Sequence, residues 1–307
     1  MTADSGGSLD RQALRRLSVR SDARGVLQLC THLGIVCGTG VLIRLSVGSA
    51  MWGAALLLHG IALNFLFCPL HETVHGTAFA SRRVNQAVSW ISGWMLLLPP
   101  YYFRLFHFAH HQFTQQPDQD PELAVPKPAS IAGYAWQVSG LPNWYKRLTI
   151  TLRHAVLGQV VQPFVPAGKH SSVVREARIL WSSYLLALVV SVVFRRTELL
   201  VYWLVPLILG QPFLRAFLLA EHTGCDLSDD GFTNTRTTRT NLLVRAITWQ
   251  MSFHVEHHLY PSVPFFRLFE VRRAMPAALP IPTPGYLAFH RRLLRQLRTR
   301  MQAAACR

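Results

Sequence analysis

The chain is poor in the residues that cross-link small domains. Its five cysteines, Cys30, Cys37, Cys68, Cys225 and Cys306, are scattered and show no CxxC spacing. No disulfide framework follows from them, and a reducing compartment is the default. Cys30, Cys37 and Cys68 fall in apolar runs, where a free thiol behaves as a small hydrophobe. Lysine is almost missing, at Lys127, Lys146 and Lys169 only. Acidic residues are also few, 15 against 31 basic ones. A basic excess can mean nucleic acid, but here it is spread over loops and tail, which points to an anionic lipid surface instead. The first 24 residues lack an apolar core with a small-residue cleavage site, so no secretory signal is expected. No repeat of solenoid period is visible.

Apolar sequence is abundant. Half the chain is hydrophobic, yet the formal net charge is +16. That pairing suits a membrane protein with arginine in its loops. Four runs, 26–43, 50–70, 179–194 and 199–220, are long enough or nearly so to cross a hydrocarbon layer of roughly 30 Å. Arg11, Arg15, Arg16, Arg20 and Arg24 precede the first run and predict a cytoplasmic N-terminus. Arg195 and Arg196 would then face the opposite side, against the usual bias. The run 84–98 is shorter and ends in Pro99-Pro100 and three aromatics. Residues 112–167 are polar and proline-interrupted. The expected division is a basic cytoplasmic N-terminus over 1–25, a membrane domain over 26–270, and a basic amphipathic tail over 271–307, with Leu287, Leu294, Leu297 and Met301 lying on lipid.

Histidine carries the chemistry. Eight of the 14 histidines fall in three arrays: His71/His75, His107/His110/His111 and His254/His257/His258. Imidazole is a common neutral ligand for iron, zinc and copper. At i, i+3 and i+4 on a helix, three imidazoles share one face and can converge on a metal. His222, at the end of the fourth run, makes nine. Nine nitrogens exceed one tetrahedral zinc and suit two metals with four or five each. The arrays can meet only if 84–98 does not cross, so that stretch is read as re-entrant or interfacial. His71-Glu72-x-x-His75 also matches the zincin pattern, but a zinc protease leaves both HxxHH arrays unexplained. Glu72, Asp118, Asp120, Glu221 and Glu256 are candidate acceptors for the outer N–H of ligating imidazoles. Asn64, Asn234, Arg236 and Trp249 are candidate substrate contacts, although Asn64, with His32 and His59, also suits interhelical packing and Trp249 suits the core. Arg236 could instead pair with the acidic turn 226–230. His154, His170 and His290 have no array partner and read as surface residues.

The words HETVH, HFAHH and HVEHHLYP resemble the three histidine boxes of the integral-membrane fatty acid desaturase and hydroxylase family. His111-Gln112-Phe113-Thr114, Asp118-Gln119-Asp120-Pro121-Glu122 and Asn234-Thr235-Arg236-Thr237-Thr238 add to the likeness, and the third box is close to the bacterial branch. The resemblance implies an all-α membrane protein of about four transmembrane helices. A cytoplasmic, helical, histidine-rich di-iron domain at the inner membrane would cap them. It implies two Fe ions held by the nine histidines, O2 as cosubstrate, and oxidation of an acyl chain or other lipophilic substrate. No His-Pro-Gly-Gly motif of a fused cytochrome b5 occurs, so electrons should come from an external ferredoxin, rubredoxin or cytochrome. In one respect the pattern departs: many acyl-CoA desaturases carry asparagine four residues before the isolated histidine, and here that position is Leu218. Fatty acid desaturation is the expected reaction. Hydroxylation or ketolation of a lipid or carotenoid, desaturation of a small amino-acid-like metabolite, and a non-catalytic metal carrier are the alternatives.

Overall fold

The computed structural model describes residues 8–275, 279–280 and 282–305. Cys306 and part of the tail assigned to 271–307 lie outside them. Among the described residues the chain is helical, with one isolated β-bridge between Thr238 and Thr283. The helices are α1 (Arg11–Leu17), α2 (Asp22–Ser46), α3 (Trp52–Asn64), α4 (Phe67–His75), α5 (Arg82–Met95) and α6 (Pro100–Phe113). They continue with α7 (Ile131–Ser139), α8 (Leu141–Leu157), α9 (His170–Val193) and α10 (Val205–His222). The last four are α11 (Leu242–Ile247), α12 (His254–Leu259), α13 (Leu268–Ala274) and α14 (Tyr286–Ala305).

Four stretches are long and apolar enough to cross a membrane: Asp22–Ser46, Trp52–His75, Ala167–Val193 and Leu200–His222. They are not equivalent. The second is largely enclosed by protein and the fourth nearly half so, whereas the first and third leave most of their apolar surface uncovered. Leu185, Leu186, Val189 and Val193 are exposed on α9, as expected of side chains whose solvent is lipid. The second and fourth meet at glycine. A Cβ on Gly60 would stand 2.0 Å from the Pro206 carbonyl oxygen, and one on Gly210 would stand 2.1 Å from the Gly60 backbone. Small residues let two helices in lipid approach to backbone contact. Gly60→Ala is therefore expected to force α3 from α10 and to destabilise by about 1–3 kcal/mol, read as a lowered midpoint in thermal unfolding of the detergent-solubilised chain. An unchanged midpoint would show that the contact carries no packing energy.

The stretch expected to be re-entrant or interfacial is α5, at 14 residues about 21 Å long, too short to span. It buries Asn85, Val88, Ser89, Ser92 and Gly93 and leaves Trp90 and Ile91 exposed. Thus α4 and α6 approach without the chain crossing between them. Helix α6 is seated by the third span: Glu176 of α9 accepts from the backbone N–H of Tyr101 at 2.7 Å and of Tyr102 at 3.0 Å. These are orphan donors of a helix's first turn, and an anion there also suits the helix dipole.

Residues 9–17 dock on the region of the third array. Leu9, Ala13 and Leu17 pack with Val255, Val263, Leu268 and Val271, and the Leu9 N–H donates to the Tyr260 hydroxyl at 2.9 Å. In the tail, α14 forms, but its buried stripe is Phe289, Leu293 and Leu297, which cluster with Ala220, Tyr134 and Leu219. That stripe is covered by protein rather than left for lipid, while Leu287 is exposed; the Met301 side chain lies outside what is described. His290 bonds Tyr134 Oη and the Ala216 carbonyl oxygen, and His154 is buried against Gln162, so neither is a plain surface residue.

Candidate metal centre

The three arrays and His222 come together at one end of the bundle. His71 and His75 occupy the last turns of α4, which Gly76 ends in a left-handed cap at φ 73°, a conformation open to glycine at little steric cost. His107, His110 and His111 lie on α6, His222 ends α10, and the third array is α12.

The histidines divide into two groups. His71, His75, His107, His111 and His257 form one, with candidate ligand atoms all within 4.8 Å of one another, and His110, His222 and His258 form the other on the same criterion. His254 joins the second, its Nε2 3.1 Å from that of His222 and of His258. In the first group Nε2 atoms face each other at 2.8 Å for His75–His107, 3.0 Å for His107–His111 and 3.1 Å for His111–His257. In the second His110–His222 is 3.2 Å.

The histidines of one HxxHH array are divided between the two groups. Residues i and i+4 differ by about 40° around a helix, but i+3 lies about 100° from i+4. In α6, His107 and His111 enter the first group and His110 the second. In α12, His254 and His258 enter the second and His257 the first. Each HxxHH array thus gives its outer pair to one group and its middle member to the other.

The donor set fits metal. His71 is buried, and neither of its ring nitrogens has a hydrogen-bond partner. Burial, then the charge of neighbouring imidazoles, pushes His107, His111, His254, His257 and His258 well below the usual histidine range. They stay neutral at physiological pH, the form that can ligate. His110 is opposite: burial works to lower it, but Glu122 and Asp120 outweigh burial and hold it raised.

Outer partners fix several rings. Asp120 Oδ1 lies 2.9 Å from His110 Nδ1, and Asp120 also accepts from the Gln115 and Glu122 N–H groups at 2.9 Å. Such carboxylate–histidine pairs set tautomer and ring orientation. The Asn234 carbonyl oxygen lies 3.2 Å from His222 Nδ1, and Thr114 Oγ1 lies 3.1 Å from His258 Nδ1. Glu72 Oε1 is 3.5 Å from His71 Nδ1 and 4.0 Å from His257 Nδ1, beside two members of the first group.

The remaining candidates are distributed otherwise. Asp118 sits on an exposed turn at φ 64° and makes no hydrogen bond or ion pair with a histidine among the described residues. Glu256 pairs with Arg272, whose Nε is 2.5 Å from Oε1, and with Thr237. Its helix position between His254 and His257 turns it away from both groups. Glu221 reaches the inner side: its Oε2 is 3.5 Å from His254 Nε2. Asn64 donates to the Gly60 and Leu207 carbonyl oxygens at 2.8 and 2.9 Å, tying α3 to α10. The Asn234 side chain donates to the Thr114 and Ser228 carbonyl oxygens. Arg236 donates to the Ala220 carbonyl oxygen at 2.6 Å and lies over Phe289. Trp249 is fully buried, with its indole N–H on His32.

Sequence reading missed Glu122, whose Oε2 is 3.6 Å from His110 Nε2. Burial works to raise its carboxyl, but Lys127 and then His110 hold it well below the usual range. The Asp118-to-Glu122 word held the only signal. Where Leu218 replaces asparagine, Glu122 and Glu221 are the carboxylates that reach ring Nε2 atoms of the second group. Both line a cavity of about 260 Å³ that reaches His71, His107, His110 and His254 and is walled by Phe67, Leu98, Phe103 and Phe106.

Comparison with known proteins identifies relatives. A dihydrorhizobitoxine desaturase of Bradyrhizobium elkanii is 26% identical over 265 residues, covering 80% of this chain and 72% of that protein. Delta(12) fatty acid desaturases of Mortierella isabellina and Mortierella alpina are each 33% identical over 82 residues, 27% of this chain and 20% of theirs. Residues 48–290 match the fatty acid desaturase family, and the chain therefore belongs to that family.

Proposed function

We propose that this chain is an O2-dependent di-iron desaturase that introduces a carbon–carbon double bond into an aliphatic substrate, with an acyl chain as the first class. The observation that carries the reading is the convergence of nine imidazoles into adjacent groups of five and four beside an apolar cavity. In this reading His71, His75, His107, His111 and His257 hold one iron, and His110, His222, His254 and His258 the other. Iron bound there supplies reduction of O2 and the oxidising power to remove two hydrogens. The balance is one –CH2–CH2– unit, one O2, two electrons and two protons giving –CH=CH– and two waters.

The chain's own part is placement. Asp120 and the Asn234 carbonyl orient His110 and His222 from behind. Phe67, Phe103 and Phe106 keep water from the reacting carbons and hold them against the histidines; which hydrogen leaves second depends on that placement. Electrons enter from a separate ferredoxin, rubredoxin or cytochrome. The inner membrane, with the histidine end in the cytoplasm, is the site that the Arg11–Arg24 cluster supports, since α1 packs against α12 and α13 at that end. A second reading, a smaller and more polar substrate, is favoured by the cationic side chains on the cavity wall and by the name of the dihydrorhizobitoxine desaturase relative.

Mass spectrometry of host lipids and acidic metabolites, with and without the gene expressed, tests the function. The expected product lacks two hydrogens and appears only with a donor protein and its reductase. A product with one added oxygen would make the chain a hydroxylase, and an unchanged profile alongside bound iron would leave metal carriage as its activity.

A further inference from the structure

The same cavity has a charged end. Arg215, on the apolar span Leu200–His222, lines it with Arg147 of α8. Arg215 donates through Nη1 to Asn143 Oδ1 at 3.1 Å, and its buried Nε has no hydrogen-bond partner. Arg147 donates to the Leu96 carbonyl oxygen at 2.8 Å and lies over the Trp144 ring. Among the described residues no carboxylate lies within 4.0 Å of either guanidinium. Glu122 is taken by Lys127 at 2.8 Å, and Glu221 faces His254. Burial, and after it the like charge of Arg215, pushes Arg147 down to about 9. Two half-buried guanidinium groups side by side with no carboxylate in contact favour the arrival of an anion.

We infer that Arg215, with Arg147 beside it, is the anion anchor of this cavity, and that the substrate is a short aliphatic carboxylic acid. The inference rests on the desaturase reading for the reaction and on the cavity for the size. At about 260 Å³ the cavity lies below the range of pockets that enclose drug-sized ligands. The guanidinium and the histidines line this one space, so a carboxylate on Arg215 directs its aliphatic chain into the cavity that reaches the histidines. The fork of a guanidinium matches a carboxylate in two parallel hydrogen bonds.

Equilibrium dialysis of labelled hexanoate against the purified full chain in non-ionic detergent tests this, with iron measured in parallel. Hexanoate is expected to bind saturably and more tightly than hexan-1-ol or palmitate. R215Q is expected to weaken hexanoate by about 10- to 100-fold with iron content unchanged, and R215K to recover part of the loss. Unchanged hexanoate affinity in R215Q, or tighter binding of palmitate, overturns the inference. Binding needs no turnover, so hexanoate held by Arg215 without any oxidised product would count against the desaturase reading alone.

Discussion

His257→Ala is expected to bring iron in the purified protein from about two per chain to about one, and to end turnover. His257 is the middle member of its array, and its Nε2 stands 3.1 Å from that of His111 within the group of five. Its loss opens that group but leaves His254 and His258 with His110 and His222. The loss of activity should exceed the roughly 10- to 100-fold that removal of an outer partner costs. His170→Ala, whose ring bonds only the Val165 carbonyl oxygen, should keep both irons. Iron analysis and oxygen uptake with a reductase system decide it, and a His257→Ala chain with full iron and full turnover would end the di-iron assignment.

The second large effect is on stability. Glu256 is fully buried and held by Arg272 at 2.5 Å and by Thr237. Arg272→Met leaves that carboxylate without its cation, and breaking one side of a buried pair costs about 3–5 kcal/mol. Burial already holds the Glu256 carboxyl above its ordinary value although Arg272 pulls it down. A carboxyl raised in the folded state favours folding at low pH and opposes it as pH rises above the unfolded value. The deficit of Arg272→Met should therefore be largest near neutral pH and shrink on acidification. Thermal unfolding of the solubilised chain at two pH values measures it. Glu256→Gln combined with Arg272→Met should recover most of the loss. A single variant as stable as the parent would show that the pair does not hold α12.

Much of this was legible in the sequence. The four spans follow from hydropathy and length, and the nine histidines stand out because clustered imidazoles are rare without a metal to gather them. The short stretch 84–98 could be kept from crossing only by requiring the arrays to meet. The partition of the histidines was not legible in the same way. Spacing shows that i, i+3 and i+4 share a face, but the 100° between His110 and His111 decides which group each joins, and that depends on where α12 lies across from α6. Glu256 sits among ligands in sequence yet points to Arg272, because one step along a helix turns a side chain through 100°. Arg215 lies in an apolar run with no spacing partner, and its isolation from carboxylates is a tertiary fact. In α14, leucine and arginine interleave much as they would on a lipid-bound helix, and only the packed position of Ala220, Leu219 and Tyr134 turns its stripe inward.

The docking of Leu9, Ala13 and Leu17 on residues 255–271 sets an order of assembly. Helix α1 cannot dock until α12 and α13 exist, so all four spans precede completion of the histidine cluster. Contacts this distant in sequence form slowly, and a nascent chain stalled before α12 offers six of the nine imidazoles to whatever metal is at hand. The nine-histidine set is therefore complete only once α12 has followed the fourth span.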